Sequence, residues 1–343
     1  MRPPGSSRPP LAHPVSEARR VLFVRTDRLG ETLLNLPAVA TLRAALPQAS
    51  LSLLVNPELQ ALLSRVQGVD RVLTDAPSAG RAWWVRAVTL GRTLRAERFD
   101  AAFVSNPRKD LHVAVWLAGI PCRVGYDRKW GRLLTCRLPD RKALGDRPEV
   151  EYNLDLVRAV GLPTPVLQWQ LPRFERERVD VDQLLAQQGI APGQPLLAVH
   201  PWTSNPVKQW PAERFRVLME RAVQRLPVRV VIVGGREERD QAGAVLPPGV
   251  PIADLVGRVT LLQLAALLQR ARLLVSNDSG PVHLAAAVGT KTLVLFGTPT
   301  PSGGPQRWGP WGEGHVVIWK PSMEAITVDE VWRALEEQLR GRA

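Results

Sequence analysis

The sequence predicts an α/β chain of two doubly wound domains, each with a parallel sheet, facing one another across a cleft. Three observations carry this. The chain has 343 residues, too many for one ordinary core and enough for two. Short apolar runs alternate with helical patterns, as in an open parallel sheet. The alternation breaks at a Pro-rich stretch around residues 162–174 and then restarts.

The elements follow in order. Residues 1–19 are rich in Pro, Ser and Arg, lack the continuous apolar core of a signal peptide, and read as a flexible N-terminal arm. The first domain is assigned to 20–165, the acceptor side. VLFVR at 21–25 is the apolar run expected of a strand buried on both faces. A polar turn at 26–31 leads to a helix over about 32–46, with Pro37 confined to its first turn. LSLLV at 51–55 is a second strand; helices follow at 57–64 and 82–96, a strand at 101–105 and a helix at 110–117. A linker is placed at 166–190 and a second, nucleotide-binding domain at 191–322. Its strands are expected at 196–200, 228–233, 273–276 and 292–296, and its helices at 212–225, 237–245, 261–269 and 281–288. The tail, 323–343, carries a last helix over about 327–340, expected to pack back on the first domain.

Composition narrows the function. The chain is 45% hydrophobic and 22% charged, as globular domains are. A formal net charge of +13 favours anionic partners. Its cations are mostly Arg, spread along the chain without a nucleic-acid-binding motif, so a phosphorylated or lipid-linked substrate is preferred and nucleic acid is not expected. Cys122 and Cys136 belong to no Cys/His cluster, which leaves no zinc site. GxSxG, HExxH and GxxxxGK[ST] are absent, removing the main support for hydrolase and ATPase readings. No apolar run is long enough to span a bilayer. A cytoplasmic protein is expected, with peripheral contact at the inner membrane surface.

Four segments carry candidate chemistry, each leaving a strand for a helix. Ligands of such sheets bind beyond the carboxyl ends of the strands. In LLVSNDSGPVHLAAAVGTKTLVLFG (273–297), the turn holding Asp278, Ser279 and Gly280 opens a helix, with His283 one turn in. Backbone N–H groups at a helix start bind phosphate; equally, Asp278 or Ser279 is an ordinary helix cap. In AVHPWTSNPVKQWPAERF (198–215), Thr203 and Ser204 offer hydroxyls and Lys208 a cation suited to a diphosphate leaving group. A lone loop lysine is more often merely solvated. In RTDRLGETLLNLPA (25–38), Gly30 permits a tight turn and Glu31 opens a helix, where it could accept a proton or simply complement the helix dipole. In VVIVGGREERD (230–240), Glu237 or Glu238 could bond ribose hydroxyls or act as a helix-start acid. Asp180 and Asp182 resemble a metal-binding DxD, but their place at a predicted helix start argues for a helix role rather than metal.

Together these segments resemble glycosyltransferase family 9, the ADP-heptose:lipopolysaccharide heptosyltransferases, from about Val21 to Trp311. The resemblance implies the GT-B fold, two Rossmann-like domains with parallel sheets facing a cleft. It also implies an inverting, metal-independent transfer of a sugar, heptose in the family, from an ADP-sugar to a glycolipid or polysaccharide acceptor. No cofactor is implied, since the nucleotide-sugar is a co-substrate. Carried over by position, Asp278, Ser279, Gly280 and His283 match the nucleotide-diphosphate loop; Thr203, Ser204 and Lys208 match the phosphate-contacting loop. Glu238, or Glu237, matches the acid near the ribose, and Val259 the apolar residue on the adenine. Glu31 falls where the family usually has the Asp of a Gly-Asp pair holding the catalytic base; this chain reads Gly-Glu. Lys208 is expected to steady the leaving group. Arg28, Arg108 and Lys109 are candidates for an anionic acceptor. The Gly-Glu departure keeps a rival open, a nucleotide-sugar-binding homologue with lost or altered catalysis. A GT-B enzyme with another donor, such as a UDP-sugar, is the other.

Overall fold

The structure is a computed structural model that describes residues 15–75, 82–165 and 169–340. The first six strands are β1 (Arg20–Arg25), β2 (Ser50–Val55), β3 (Arg71–Thr74), β4 (Ala101–Val104), β5 (Cys122–Tyr126) and β6 (Cys136–Leu138). They form one parallel sheet in the order β3-β2-β1-β4-β5-β6. The remaining six are β7 (Leu196–His200), β8 (Arg229–Ile232), β9 (Ala253–Asp254), β10 (Ala271–Asn277), β11 (Lys291–Gly297) and β12 (Val316–Lys320). These form a second parallel sheet, β12-β11-β10-β7-β8-β9. Both sheets therefore have the same doubly wound order, reversing between β1 and β4 in one and between β7 and β10 in the other. At such a reversal the loops diverge and leave a crevice at the strands' carboxyl ends. The α/β, two-sheet reading of the sequence is what the structure has.

The central strands are buried on both faces, as their unbroken apolar runs require: Val21 to Arg25, Leu196 to His200 and Leu273 to Asn277 are all buried. Helices Trp83–Glu97 and Lys109–Leu117 cover one side of the first sheet through Leu90, Leu94, Leu111 and Val115. Helices Leu36–Ala45 and Glu149–Arg158 lie on the other, in an apolar cluster that continues into helices Leu261–Arg270 and Gly280–Ala287 of the second domain. The two domains thus share core across the interface. Helix Leu261–Arg270 is started by a reciprocal cap: Thr260 Oγ1 accepts from Gln263 N at 3.2 Å, and Gln263 Oε1 from Thr260 N at 2.9 Å.

Several expectations are corrected. The expected single helix over 32–46 is two, Leu29–Leu33 and Leu36–Ala45, with Pro37 in the first turn of the second, where its missing N–H costs nothing. The terminal helix Val328–Arg340 does not pack on the first domain. Its apolar stripe, Val331, Trp332, Leu335 and Leu339, closes the second sheet's core beside Phe215, Leu218 and Met219. The stretch assigned as linker contains the helix Glu175–Gln187, docked on helix Leu261–Arg270, where Arg270 Nη1 bonds Asp182 Oδ1 at 2.7 Å. Asp180 and Asp182 therefore lie inside a helix rather than at its start, and Asp180 accepts from Gln263 Nε2 at 3.3 Å. Of the N-terminal arm, residues 1–14 lie outside the described residues. Val15, however, is buried in the core, and Arg19 N and Arg20 N both bond Asp100 Oδ2 at 2.8 Å. Among the described residues no helix is long and apolar enough to cross a membrane.

Candidate active site

A cleft of about 650 Å³ opens between the carboxyl edges of the two sheets. The turn after β1 supplies Asp27, Arg28, Gly30 and Glu31. From the second domain come His200, Thr203, Ser204 and Lys208 after β7, Gly235, Glu237 and Glu238 after β8, and Asp278, Ser279, Gly280 and His283 after β10. Distant segments meet here because those of β1, β7 and β10 leave strands at their sheet's reversal, and the turn after β8 lies next to them.

The turn after β10 is braced on every side. The Asn277 side chain accepts from Trp210 N at 3.1 Å and donates to Pro201 O at 2.6 Å. Thr203 Oγ1 donates to Asp278 O at 3.3 Å. Ser276 Oγ lies 3.0 Å from Ser279 Oγ, and His200 Nδ1 stands 3.3 Å and 3.2 Å from these two hydroxyls. The loop is thus anchored by its own side-chain and backbone bonds, the kind of support that preorganises a binding site. Lys208 Nζ bonds Asp278 Oδ2 at 2.5 Å. Asp278 therefore turns its carboxylate to the lysine and holds the cation at the mouth of the helix Gly280–Ala287. Burial pushes the Asp278 carboxyl up; Lys208 opposes this, and the negative field of Glu31 adds to it.

His200 and His283 are buried, and burial pulls both imidazoles down to about 4, so both are neutral at pH 7. Glu238 Oε2 accepts from Gly235 N and lies 3.9 Å from His200 Nε2; burial pushes its carboxyl up, against the Gly235 bond.

The two domains touch at glycine. Helix Leu29–Leu33 rests on helix Gly280–Ala287, and a Cβ on Gly30 would stand 2.7 Å from His283 Cδ2. One on Gly280 would stand 3.3 Å from Leu29 Cβ. Gly30 has no left-handed backbone. Close approach of the other domain, rather than a tight turn, requires it, and Gly280 likewise makes room for Leu29. Arg28 Nη1 bridges the cleft to Ser204 Oγ at 2.5 Å.

Three sequence candidates fall outside the cleft. Val259 packs, half-buried, against the core, and Leu261 lines the cleft. Arg108 Nη2 bonds Asp110 Oδ2 at 2.5 Å, and Lys109 Nζ sits 4.3 Å from the centre of the Trp83 ring. Both follow β4, to the side. The sequence reading passed over His200, although it ends a buried strand, where ligand-facing residues are expected. It also passed over Asp27, Trp308 and a neighbouring pocket of about 340 Å³ lined by Arg25, Asn106, Arg128, Lys142, Glu149 and Arg307. Asp27 lines both spaces; it pairs with Arg25 Nε at 3.1 Å and accepts from Asn106 Nδ2 at 2.9 Å. Among the described residues no three His, Cys, Asp or Glu side chains are grouped to hold a metal ion.

Residues 87–334 match the family model of glycosyltransferase family 9 (heptosyltransferase). The chain belongs to glycosyltransferase family 9. It is a glycosyltransferase of the heptosyltransferase kind. It is 25% identical to lipopolysaccharide heptosyltransferase 2 of Escherichia coli K12 over 295 residues, 82% of this chain and 84% of that protein. The family 9 glycosyltransferase of Veillonella parvula superposes with a TM-score of 0.84 at 20% identity, covering 94% of this chain and 97% of that one. An E. coli heptosyltransferase solved with ADP superposes with a TM-score of 0.73 at 22% identity, covering 93% and 99%. The fold is therefore that of the GT-B heptosyltransferases. The family 9 match takes in the loops of Lys208, Glu238 and Asp278 and begins after the turn that carries Glu31.

Proposed function

We infer that this family 9 enzyme moves a sugar, heptose in the first instance, from an ADP-sugar to an anionic glycolipid or polysaccharide by direct inverting displacement without a metal. The observation that carries the reading is that Glu31 of the first domain and the Lys208–Asp278 pair of the second line one cleft. The acceptor hydroxyl oxygen attacks the anomeric carbon as Glu31 takes its proton. The bond from that carbon to the β-phosphate oxygen breaks, and its electron pair leaves with ADP. Charge developing on the diphosphate is met by Lys208, tethered by Asp278, and by the amino end of helix Gly280–Ala287. Ser279, Thr203 and Ser204 supply hydroxyls beside it, and His283 a neutral imidazole. Glu238, which lines the cleft, is assigned the ribose hydroxyls. The pocket beside Asp27, where Arg25, Arg128, Lys142 and Arg307 stand against the acids Asp27, Asp140 and Glu149, is assigned to the anionic acceptor in preference to Arg108 or Lys109, and Arg28 lines the donor cleft. An acceptor of this kind sets the enzyme at the cytoplasmic face of a membrane, in peripheral contact.

The test is calorimetric titration with ADP, UDP, GDP and their sugars, followed by transfer from ADP-heptose in the presence of EDTA. ADP is expected to bind best and turnover to survive chelation. Preference for UDP would replace the donor. Loss of turnover in EDTA, restored by Mg²⁺, would overturn the metal-free mechanism. ADP binding without transfer to any supplied acceptor would favour a non-catalytic homologue, the reading that Gly-Glu in place of Gly-Asp keeps open.

A further inference from the structure

One face of the first domain carries exposed aromatic and cationic side chains that the cleft does not use. Helices Trp83–Glu97 and Lys109–Leu117 lie side by side on the first sheet. Their inner positions, among them Leu90, Leu94, Leu111 and Val115, are buried. Their outer stripes follow at helical spacing: Trp84, Val88, Arg92 and Arg95 on the first, Lys109, Val113 and Trp116 on the second. Trp84 is 58% exposed and Trp116 49%. At the upper end Trp83 sits under Lys109 Nζ and 5.6 Å from the Trp130 ring, which Arg132 covers in turn at 5.4 Å.

The stripes contain no acid. The acids of these helices point away: Glu97 bonds Arg71, and Asp110 is buried against Arg108. Large aromatic rings left in water are costly unless something covers them. A second copy of the chain is a poor cover, because an isologous contact would join two faces that carry Arg92, Arg95 and Lys109 and no acid to pair them. An anionic bilayer answers both features. Indole rings settle at headgroup level, and arginines are drawn to lipid phosphates. The first helix, 15 residues long, gives a footprint of about 22 Å. Both helices begin at the carboxyl edge of the sheet, the edge that carries the cleft.

We propose that the Trp84–Arg92–Arg95–Trp116 face is a peripheral docking surface for an anionic lipid bilayer. It deepens the glycolipid-acceptor reading by naming the surface that would bring the cleft to a lipid-linked substrate, and it rests on that reading only for its purpose. The experiment is co-sedimentation of the full chain with vesicles of phosphatidylcholine alone or mixed with phosphatidylglycerol, at low and high salt. Wild type, Trp84→Ala/Trp116→Ala and Arg92→Glu/Arg95→Glu are compared, with thermal melts and ADP titration alongside. Wild type is expected to bind the anionic vesicles, to ignore the neutral ones and to be released by salt. Losing both arginines should weaken binding at least 25-fold, from about fivefold per cation, the factor matching ~1 kcal/mol for each basic residue at an anionic surface. The tryptophan pair should also release the protein, with melts and ADP affinity unchanged. Equal binding to neutral vesicles, or anionic binding that neither pair weakens, overturns the proposal. So does a wild-type dimer that Trp84→Ala/Trp116→Ala dissolves, which would make a second copy the cover. Loss of ADP binding in wild type would sink the transferase reading and leave the docking surface standing.

Discussion

Glu149→Gln removes one negative charge from the carboxylate that pairs with the most cations among the described residues. The Glu149 side chain is fully buried; Lys142 Nζ stands 2.6 Å from Oε1, Arg307 Nε 2.9 Å from Oε2 and Arg25 Nη1 3.7 Å from Oε1. Arg307 comes from the second domain and the other three residues from the first, so the cluster pins the domains together beside Trp308, which lines the cleft. Burial alone would raise the carboxyl; Lys142, Arg25 and Arg307 overcome it and hold it below its ordinary value of 4.5. Glutamine keeps the shape but leaves buried cations facing a neutral amide. Breaking a buried pair in this way costs about 3–5 kcal/mol. At about 2–4 °C per kcal/mol for units of this size, the melting temperature should fall by roughly 6–20 °C. The carboxyl's folded pKa is depressed, so its stabilisation is present above 4.5 and is lost as pH falls through the folded value. The gap between wild type and variant, followed by calorimetric melts, should therefore be wide at pH 7 and close in acid. A variant that melts with wild type at pH 7, or a gap that persists in acid, refutes the argument.

Other perturbations bear on the cleft. Lys208→Ala should weaken ADP binding by about 10–100-fold, the worth of one charge-assisted bond, and Asp278→Ala should weaken it by freeing the lysine, with both variants folded; unchanged calorimetric affinity in both removes the assignment. Glu31→Gln should keep fold and donor affinity but lower turnover by roughly 10²–10⁴-fold, and full activity would leave Glu31 as a helix-start acid only. Gly30→Ala brings a methyl to 2.7 Å from His283 Cδ2; overpacking of about 1–3 kcal/mol, offset by about 1 kcal/mol of helix propensity, should lower both melting temperature and turnover, and no change in either counts against the close domain contact. Burial holds His112, His200 and His283 near 4 against an ordinary 6.5, so the unfolded chain binds the extra protons; stability should fall as pH drops from 6.5 toward 4, and a flat profile of melting temperature there would contradict their buried, neutral state.

What was legible in the sequence follows from burial. Strands buried on both faces announce themselves as apolar runs, and β7 was read to the residue. The edge strands were not. β3 is half exposed throughout, β9 has only two residues, and β12 alternates with Trp319 facing out. β5 is interrupted by Arg123 and by Gly125, where a Cβ would stand 3.0 Å from Val104 O. The terminal helix was found, but its stripe says only that it packs, not on which domain. Cleft residues were legible where topology alone brings them together, at the carboxyl ends of strands. Pairings across long separations had no local signal: Arg307 meets Glu149 from 158 residues away.

The same limit applies to Gly30 and Glu31, and here the structure changes what the substitution means. Gly30 reads as a turn residue, yet its backbone is right-handed and its missing side chain is filled by His283 of the other domain. Helix Leu29–Leu33 is therefore pressed against helix Gly280–Ala287 and cannot retreat to absorb a longer side chain at Glu31. With Glu31 as the base, the extra methylene is taken up on the proposed acceptor side. Glu31→Asp separates the two ways this can happen. If the acceptor hydroxyl sits where a glutamate reaches it, aspartate falls short and turnover drops, because a small misplacement of a reacting group is costly. If the acceptor pocket still suits aspartate, the variant runs as fast as wild type or faster. Donor affinity should be the same in either case, since the charge at position 31 is kept and the Asp278–Lys208 pair proposed for the nucleotide belongs to the other domain. A change in ADP affinity on Glu31→Asp would show that the two halves of the cleft are coupled through Glu31 and Asp278, and the division into donor and acceptor sides would have to be redrawn.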